Sequence, residues 1–135
     1  MKNSLFPSAV IGILLAVFAV PALAEDLGVW RNQSNSVHVE VFECGEARCG
    51  KVVWASEKAK QDAVQGGTAR LVGTQVLRKF REKGDSGKWK GKAFVADMNR
   101  EFSGTARAVD YNTIEVKGCI AGGLICKTQI WTRVK

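Results

Sequence analysis

The sequence predicts an all-β protein: a small antiparallel up-and-down barrel of about eight strands with one short helix or loop insertion. Three observations lead there. Apolar and polar residues alternate over most of the chain beyond residue 25, the period-two signature of strands with one buried face. Turn clusters of Gly, Asn, Asp and Ser break this alternation at intervals of roughly 8–12 residues, the spacing of an all-β domain. The last stretch reads as two alternating runs, Ile114–Cys119 and Cys126–Val134, joined by a Gly-rich turn with a cysteine at each inner end. Sequential antiparallel strands with short turns suit a closed barrel, which leaves no sheet edge free.

The first 24 residues read as a secretory signal peptide rather than as part of the fold. Lys2 supplies the positive start, Leu5 to Val20 the apolar run, and Ala22-Leu23-Ala24 a small-x-small cleavage site before Glu25. The apolar run is shorter than the roughly 20 residues that span a bilayer. No transmembrane span is expected in the mature chain, which would be periplasmic or secreted. Removing 24 of the 135 residues leaves 111, enough for one small domain over residues 25–135.

In order, Val29-Trp30 begins the first strand, and Ser34-Asn35-Ser36 turns the chain. Val37, Val39 and Val41 alternate with His38, Glu40 and Phe42, and a strand from Gly50 to Ala55 follows the turn between Cys44 and Cys49. Over SEKAKQDAV the alternation stops; Ser56 is an N-cap candidate and Gly66-Gly67 a stop, which predicts a one- or two-turn helix or a loop. Thr74–Arg81 puts Val76, Arg78 and Phe80 on one face, Leu77 and Lys79 on the other. After the EKGDSG turn, Trp89, Gly91, Ala93 and Val95 oppose Lys88, Lys90 and Lys92. Past Asp97-Met98-Asn99, Phe102, Gly104, Ala106 and Ala108 oppose Glu101, Ser103, Thr105 and Arg107; Asp110-Tyr111-Asn112 then leads into the closing hairpin. Small residues beside Trp89 and Phe102 either leave room for a ligand or let large neighbours pack.

Cys44, Cys49, Cys119 and Cys126 all lie in the predicted mature chain. An even number in an exported protein implies disulfides. Of the three connectivities, local pairing is favoured because each pair brackets a turn, CGEARC and CIAGGLIC. Metal binding is disfavoured, since neither spacing is the two-residue gap common in zinc sites.

Catalysis finds little support. His38 is the one histidine, on the polar side of a strand, and no G-x-S-x-G, H-E-x-x-H or phosphate-binding glycine loop occurs. With the cysteines in disulfides, no thiolate nucleophile is left. The reading is a non-enzymatic protein without cofactor or metal.

Three blocks carry a resemblance: Gly28-x-Trp30; Cys44-Gly45 through Cys49-Gly50-Lys51-Val52-Val53-Trp54; and Gly118-Cys119 through Cys126-Lys127-Thr128-Gln129-Ile130-Trp131-Thr132-Arg133-Val134. Together they resemble the bacterial family of unknown function numbered 2147, small exported proteins, over nearly the whole mature chain. The resemblance implies a lipocalin-like antiparallel barrel. Lipocalins also open on G-x-W, whose Trp closes one barrel end beneath a basic residue of the last strand; Trp30 and Arg133 are the corresponding barrel-end residues. The chain departs from the family's I-Y-D-P-x-x-G-K-x-Y segment, with Val95-Ala96 in place of Asp-Pro, Asn99 in place of Gly and Phe102 in place of Tyr.

Two functions follow from these readings. The first is a barrel that holds a small apolar or amphipathic ligand among Trp54, Phe80, Trp89, Phe102 and Trp131, oriented by Arg78 or Gln129. The competing expectation is that these rings simply fill a small core. The second is an envelope interaction or stress factor, such as an inhibitor of a lytic enzyme. It would act through the loops 56–70 and 82–87 and a basic stripe of Arg78, Lys79, Arg81, Lys88, Lys90 and Lys92. The formal charge is +7 for the full chain, and an acidic protein or anionic envelope component would suit it. Nucleic acid is not expected, because exported proteins rarely meet it.

Overall fold

The computed structural model describes residues 9–16 and 26–135. The Ala22-Leu23-Ala24 site and most of the segment read as a signal peptide lie outside the described residues. Beyond them the alternating runs form eight strands: β1 Gly28–Arg31, β2 Val37–Cys44, β3 Ala47–Ala55, β4 Gln75–Glu82, β5 Lys88–Val95, β6 Arg100–Asp110, β7 Thr113–Ile120 and β8 Ile125–Arg133. Helix α1, Glu57–Gly66, joins β3 to β4, and a single 3-10 turn at Ala121–Gly123 joins β7 to β8. Each strand pairs antiparallel with the next, and β8 returns to β1 to close the barrel.

The closing seam is short, with Trp30 opposite Arg133 and Arg31 opposite Thr132. Where β1 runs out, the Gln33 side-chain oxygen accepts the Ile130 amide at 3.1 Å. At the other end of the same seam the Val29 carbonyl accepts from Val134, and the Val29 amide donates to the Lys135 carbonyl. The backbone groups of a four-residue strand are thereby paired, as a buried segment requires.

Helix α1 forms where the alternation lapses. The Ser56 hydroxyl accepts the Ala59 amide at 3.1 Å, capping the first turn. Gly67, at φ 108°, ends the helix in a left-handed conformation that a β-carbon would disfavour. Although most of the segment is polar, Ala63 is buried. The Thr68 hydroxyl donates to the Ala96 carbonyl at 2.7 Å, which ties the end of the helix to the β5–β6 turn. Gly66 meets the same turn: a β-carbon there would overlap the Asp97 carbonyl. The helix thus crosses part of one barrel end.

Two β-bulges change which side chains face inward. In β3, Val39 pairs with Val52 but His38 pairs with Trp54, so Val53 is an extra residue. The inward alternation resumes one residue late, with Ala55 buried and Trp54 outside. In β4, Arg78 pairs with Lys92 and Arg81 with Lys90, which leaves an extra residue opposite a shorter stretch of β5. Lys79 takes it up at φ 51°. Leu77 and Phe80 are consequently both buried, whereas simple alternation placed them on opposite faces.

Candidate functional site: the open end of the barrel

The barrel has two unlike ends. At one end lie the β2–β3, β4–β5 and β6–β7 turns together with the start of β1 and the end of β8. Trp30 is fully buried there, and its indole N–H donates to the Asp26 carbonyl at 3.0 Å. The Arg133 guanidinium lies between two rings, 4.3 Å from the Trp30 centroid and 4.2 Å from that of Tyr111. It also donates to the Leu27 and Tyr111 carbonyls at 2.8 and 2.7 Å. Gly28 is required beside it, since a β-carbon would stand 2.6 Å from the Lys135 carbonyl oxygen and 2.8 Å from Arg133 Nη1. Arg48 pairs with Asp26 at 2.8 Å and lies 5.1 Å over the Trp89 ring. This end is closed.

Phe80 sets the inner limit of that plug. Its ring lies against Gly91 and Gly104, where a β-carbon would come within 2.6 and 3.1 Å of it. These two glycines therefore exist for packing. Between Phe80, Trp89, Arg48 and Ile114 remains a void of about 30 Å³, room for about one water.

On the other side of this plug the barrel is hollow. A cavity of about 1030 Å³ opens between the β1–β2 turn, helix α1, the β5–β6 turn and the β7–β8 hairpin. Its deeper walls include Val39, Val52, Leu77, Phe102, Val116 and Trp131. Polar groups gather toward the mouth: Asn32, Ser34, Asn35 and Ser36 from the first turn, Lys58 and Asp62 from the helix, Asp97, and Lys127 from β8. Lys58 donates to Asp62 at 2.7 Å; this hydrogen bond, then the Asp62 charge, raises the ammonium pKa above its ordinary 10.5. Gln129 sits between mouth and floor, and its carbonyl oxygen accepts the Trp131 indole N–H at 3.0 Å.

The residues proposed from sequence for ligand contact are divided by this geometry. Phe102, Gln129 and Trp131 line the cavity together. Phe80 and Trp89 lie beyond its floor and face the small void. Trp54 is outside, 44% exposed, with its ring centroid 4.5 Å from that of His38, because the bulge at Val53 turns it over. Arg78 is outside as well, 4.2 Å over the Phe94 ring and 3.2 Å from Glu101, because the bulge at Lys79 shifts the face it occupies. His38 stays on the outer surface, bonded to Asn35 at 2.9 Å. Sequence reasoning passed over Lys127 and Gly118, although Lys127 shares its parity with Gln129 and Trp131 along β8. The cysteines form Cys44–Cys49 in the β2–β3 hairpin and Cys119–Cys126 behind the tip of the β7–β8 hairpin.

The sequence pattern of DUF2147, described as an uncharacterized protein conserved in bacteria, matches residues 28–133. The chain belongs to the DUF2147 family. Among solved structures, it resembles protein HP1028 from the human pathogen Helicobacter pylori, described as belonging to the lipocalin family. The two align with a TM-score of 0.61 at 16% identity, over 81% of this chain and 82% of that one. At that identity the likeness shows the fold alone, a lipocalin-like barrel. No curated protein matches this DUF2147 chain.

Proposed function

We propose that this DUF2147 protein is a non-enzymatic, exported binding module that holds one small apolar or amphipathic molecule in the open half of its barrel. One observation carries the reading: the plug at Phe80 leaves a cavity of about 1030 Å³, apolar in its depth and polar at its mouth. Ligand sites run to roughly 300–1,000 Å³, mostly apolar with a few placed polar groups, and an eight-stranded barrel is just wide enough for one small ligand. No step of chemistry is assigned, since His38 faces outward and all four cysteines are in disulfides. Both disulfides are compatible with an oxidising compartment, in line with export.

Trp131 supplies the test, because a molecule entering the cavity changes the surroundings of its ring. Titration with long-chain amphiphiles should alter the fluorescence of the native protein, and Trp131→Phe should remove most of that response. If a panel of fatty acids, fatty alcohols and retinoids gives no saturable response, and native mass spectrometry of protein from its own host finds no bound small molecule, the reading fails.

A second reading draws on the outer surface of β4–β6. There Arg78 stands opposite Lys92, Arg81 opposite Lys90, and Lys88 opposite Arg107. Like charges directly across strands destabilise a sheet, and Glu101 and Glu115 offset only part of this run. An acidic envelope component or protein docked there would relieve the repulsion. That contact should weaken with salt and be lost in a Lys90→Glu, Lys92→Glu double variant; capture insensitive to both changes would leave only a solvated face.

A further inference from the structure

Resting on the cavity reading, we infer the chemical class of its occupant: an anionic amphiphile, its charged head on Lys127 and its hydrocarbon tail running down β8 to Trp131. Lys127, Gln129 and Trp131 are successive inward positions of β8, and all three line the cavity. At about 3.3 Å per residue, the path from Lys127 to Trp131 is roughly 13 Å long. Along it the surface grades from an ammonium, through an amide, to an indole that lines the cavity together with Phe102, Val116 and Leu77. A molecule matched to that gradient carries its charge at one end.

The sign of that charge follows from which groups are already engaged. At the mouth Asp62 is hydrogen-bonded to Lys58 at 2.7 Å, and Asp97 adds a weaker attraction to the same ammonium without an ion-pair contact. Lys127 has no carboxylate within ion-pair distance among the described residues. The neighbouring inward position on β7 is bare: Lys127 is in register with Gly118, where a β-carbon would meet nothing within 4 Å. One step inward, Gln129 has its oxygen committed to the Trp131 indole, so its NH2 is the group left to offer. A cation followed by a donor, beside open space, selects an acceptor-rich anion such as a carboxylate. An alcohol or a sterol head would leave the ammonium without a counter-charge.

The test compares two ligands that differ only in the head group, dodecanoate and dodecanol, at neutral pH and low salt, read by Trp131 fluorescence and by calorimetry. The native protein should bind the acid about five- to tenfold more tightly than the alcohol. That preference should shrink as salt is raised, because the lysine is exposed at the mouth. Lys127→Met should abolish the preference by weakening the acid alone, Lys127→Glu should invert it, and Lys127→Arg should keep it. Equal binding of acid and alcohol by the native protein, or a preference that survives Lys127→Met, overturns the headgroup assignment while the binding function stands. Binding of neither overturns both. Since Lys127 is exposed, its variants should melt with the parent, and circular dichroism checks that the comparison is made on folded protein.

Discussion

The two ends of the barrel are built from the same eight strands and held by one short disulfide hairpin each, yet one is filled and the other is hollow. The closed end concentrates large groups. Trp30, Phe80, Trp89, Arg48 and Arg133 occupy it, and glycines stand where a ring must lie flat. Toward the open end many inward positions carry small or short side chains, among them Val37, Val39, Val52, Ala93 and Gly118, and the volume they leave beside Phe102, Gln129 and Trp131 is unclaimed. The backbone closes the barrel in both halves. Side-chain volume decides where the interior is packed core and where it stays hollow, so on the proposed binding function stability and binding should be separable along the barrel axis.

The strongest way to break this separation is to empty the closed end. Trp30→Ala should cost about 3–5 kcal/mol, the range for a large buried aromatic, because Trp30 is fully buried and supports Arg133. The matching change at the open end, Phe102→Ala, should cost about 1 kcal/mol or less, because that ring is only half-buried and faces the cavity. It should weaken ligand binding instead. Urea unfolding of both variants, followed by a ligand titration of whichever folds, checks the contrast. Equal stability losses would show that the open end is core.

Intermediate effects are expected from packing contacts and from the staples. Gly91→Ala drives a methyl group to within 2.6 Å of the Phe80 ring and 2.8 Å of the Arg78 carbonyl, an overpacking that should cost about 1–3 kcal/mol. The two disulfides close loops of similar length, with sequence separations of 5 and 7. Replacing either pair with alanine should therefore cost a similar amount, about 2 kcal/mol by loop-closure entropy. They should differ in binding. Loss of Cys119–Cys126 frees the hairpin that carries Lys127 and one wall of the mouth, whereas loss of Cys44–Cys49 acts beyond the plug and should leave affinity unchanged. Calorimetric titration of the two double variants distinguishes these outcomes.

Much of this was legible in the sequence, because period-two alternation is a local property that the sheet must respect. The strands and the Ser56 cap and glycine stop of the helix follow from patterns a few residues long, whereas the pairing of β8 back to β1 is what the lipocalin-like resemblance implies. What alternation does not carry is the position of a bulge. A single extra residue at Val53 turns Trp54 outward, and another at Lys79 places Arg78 outside and Phe80 inside. The aromatic set proposed from sequence was chosen by ring size, which does not tell floor from wall. Phe80 and Trp89 were expected to touch a ligand because they are large, and their size is the reason they fill the closed end. The glycines posed the opposite ambiguity, since a missing side chain reads the same whether a neighbour or a cavity takes the space. Three-dimensional register separates them: Gly91 and Gly104 answer to Phe80, while Gly118 answers to nothing.

That last difference yields the change with the smallest effect on stability and the sharpest effect on binding. Gly118→Leu adds a side chain on the inner face of β7, where a β-carbon has open space. Gly118 is a cavity-lining residue with no left-handed φ, so leucine fits the backbone without strain. Glycine within a strand forfeits packing and conformational restriction, so the fold should be unchanged to within about 0.5 kcal/mol or gain slightly. The leucine would occupy the space opposite Lys127 and narrow the path from mouth to Trp131. Ligand response should fall by at least an order of magnitude while the melting temperature holds. A variant that melts lower and still binds would place the ligand elsewhere and make the open half of the barrel a loosely filled core, which is the opposite of what the two ends otherwise teach.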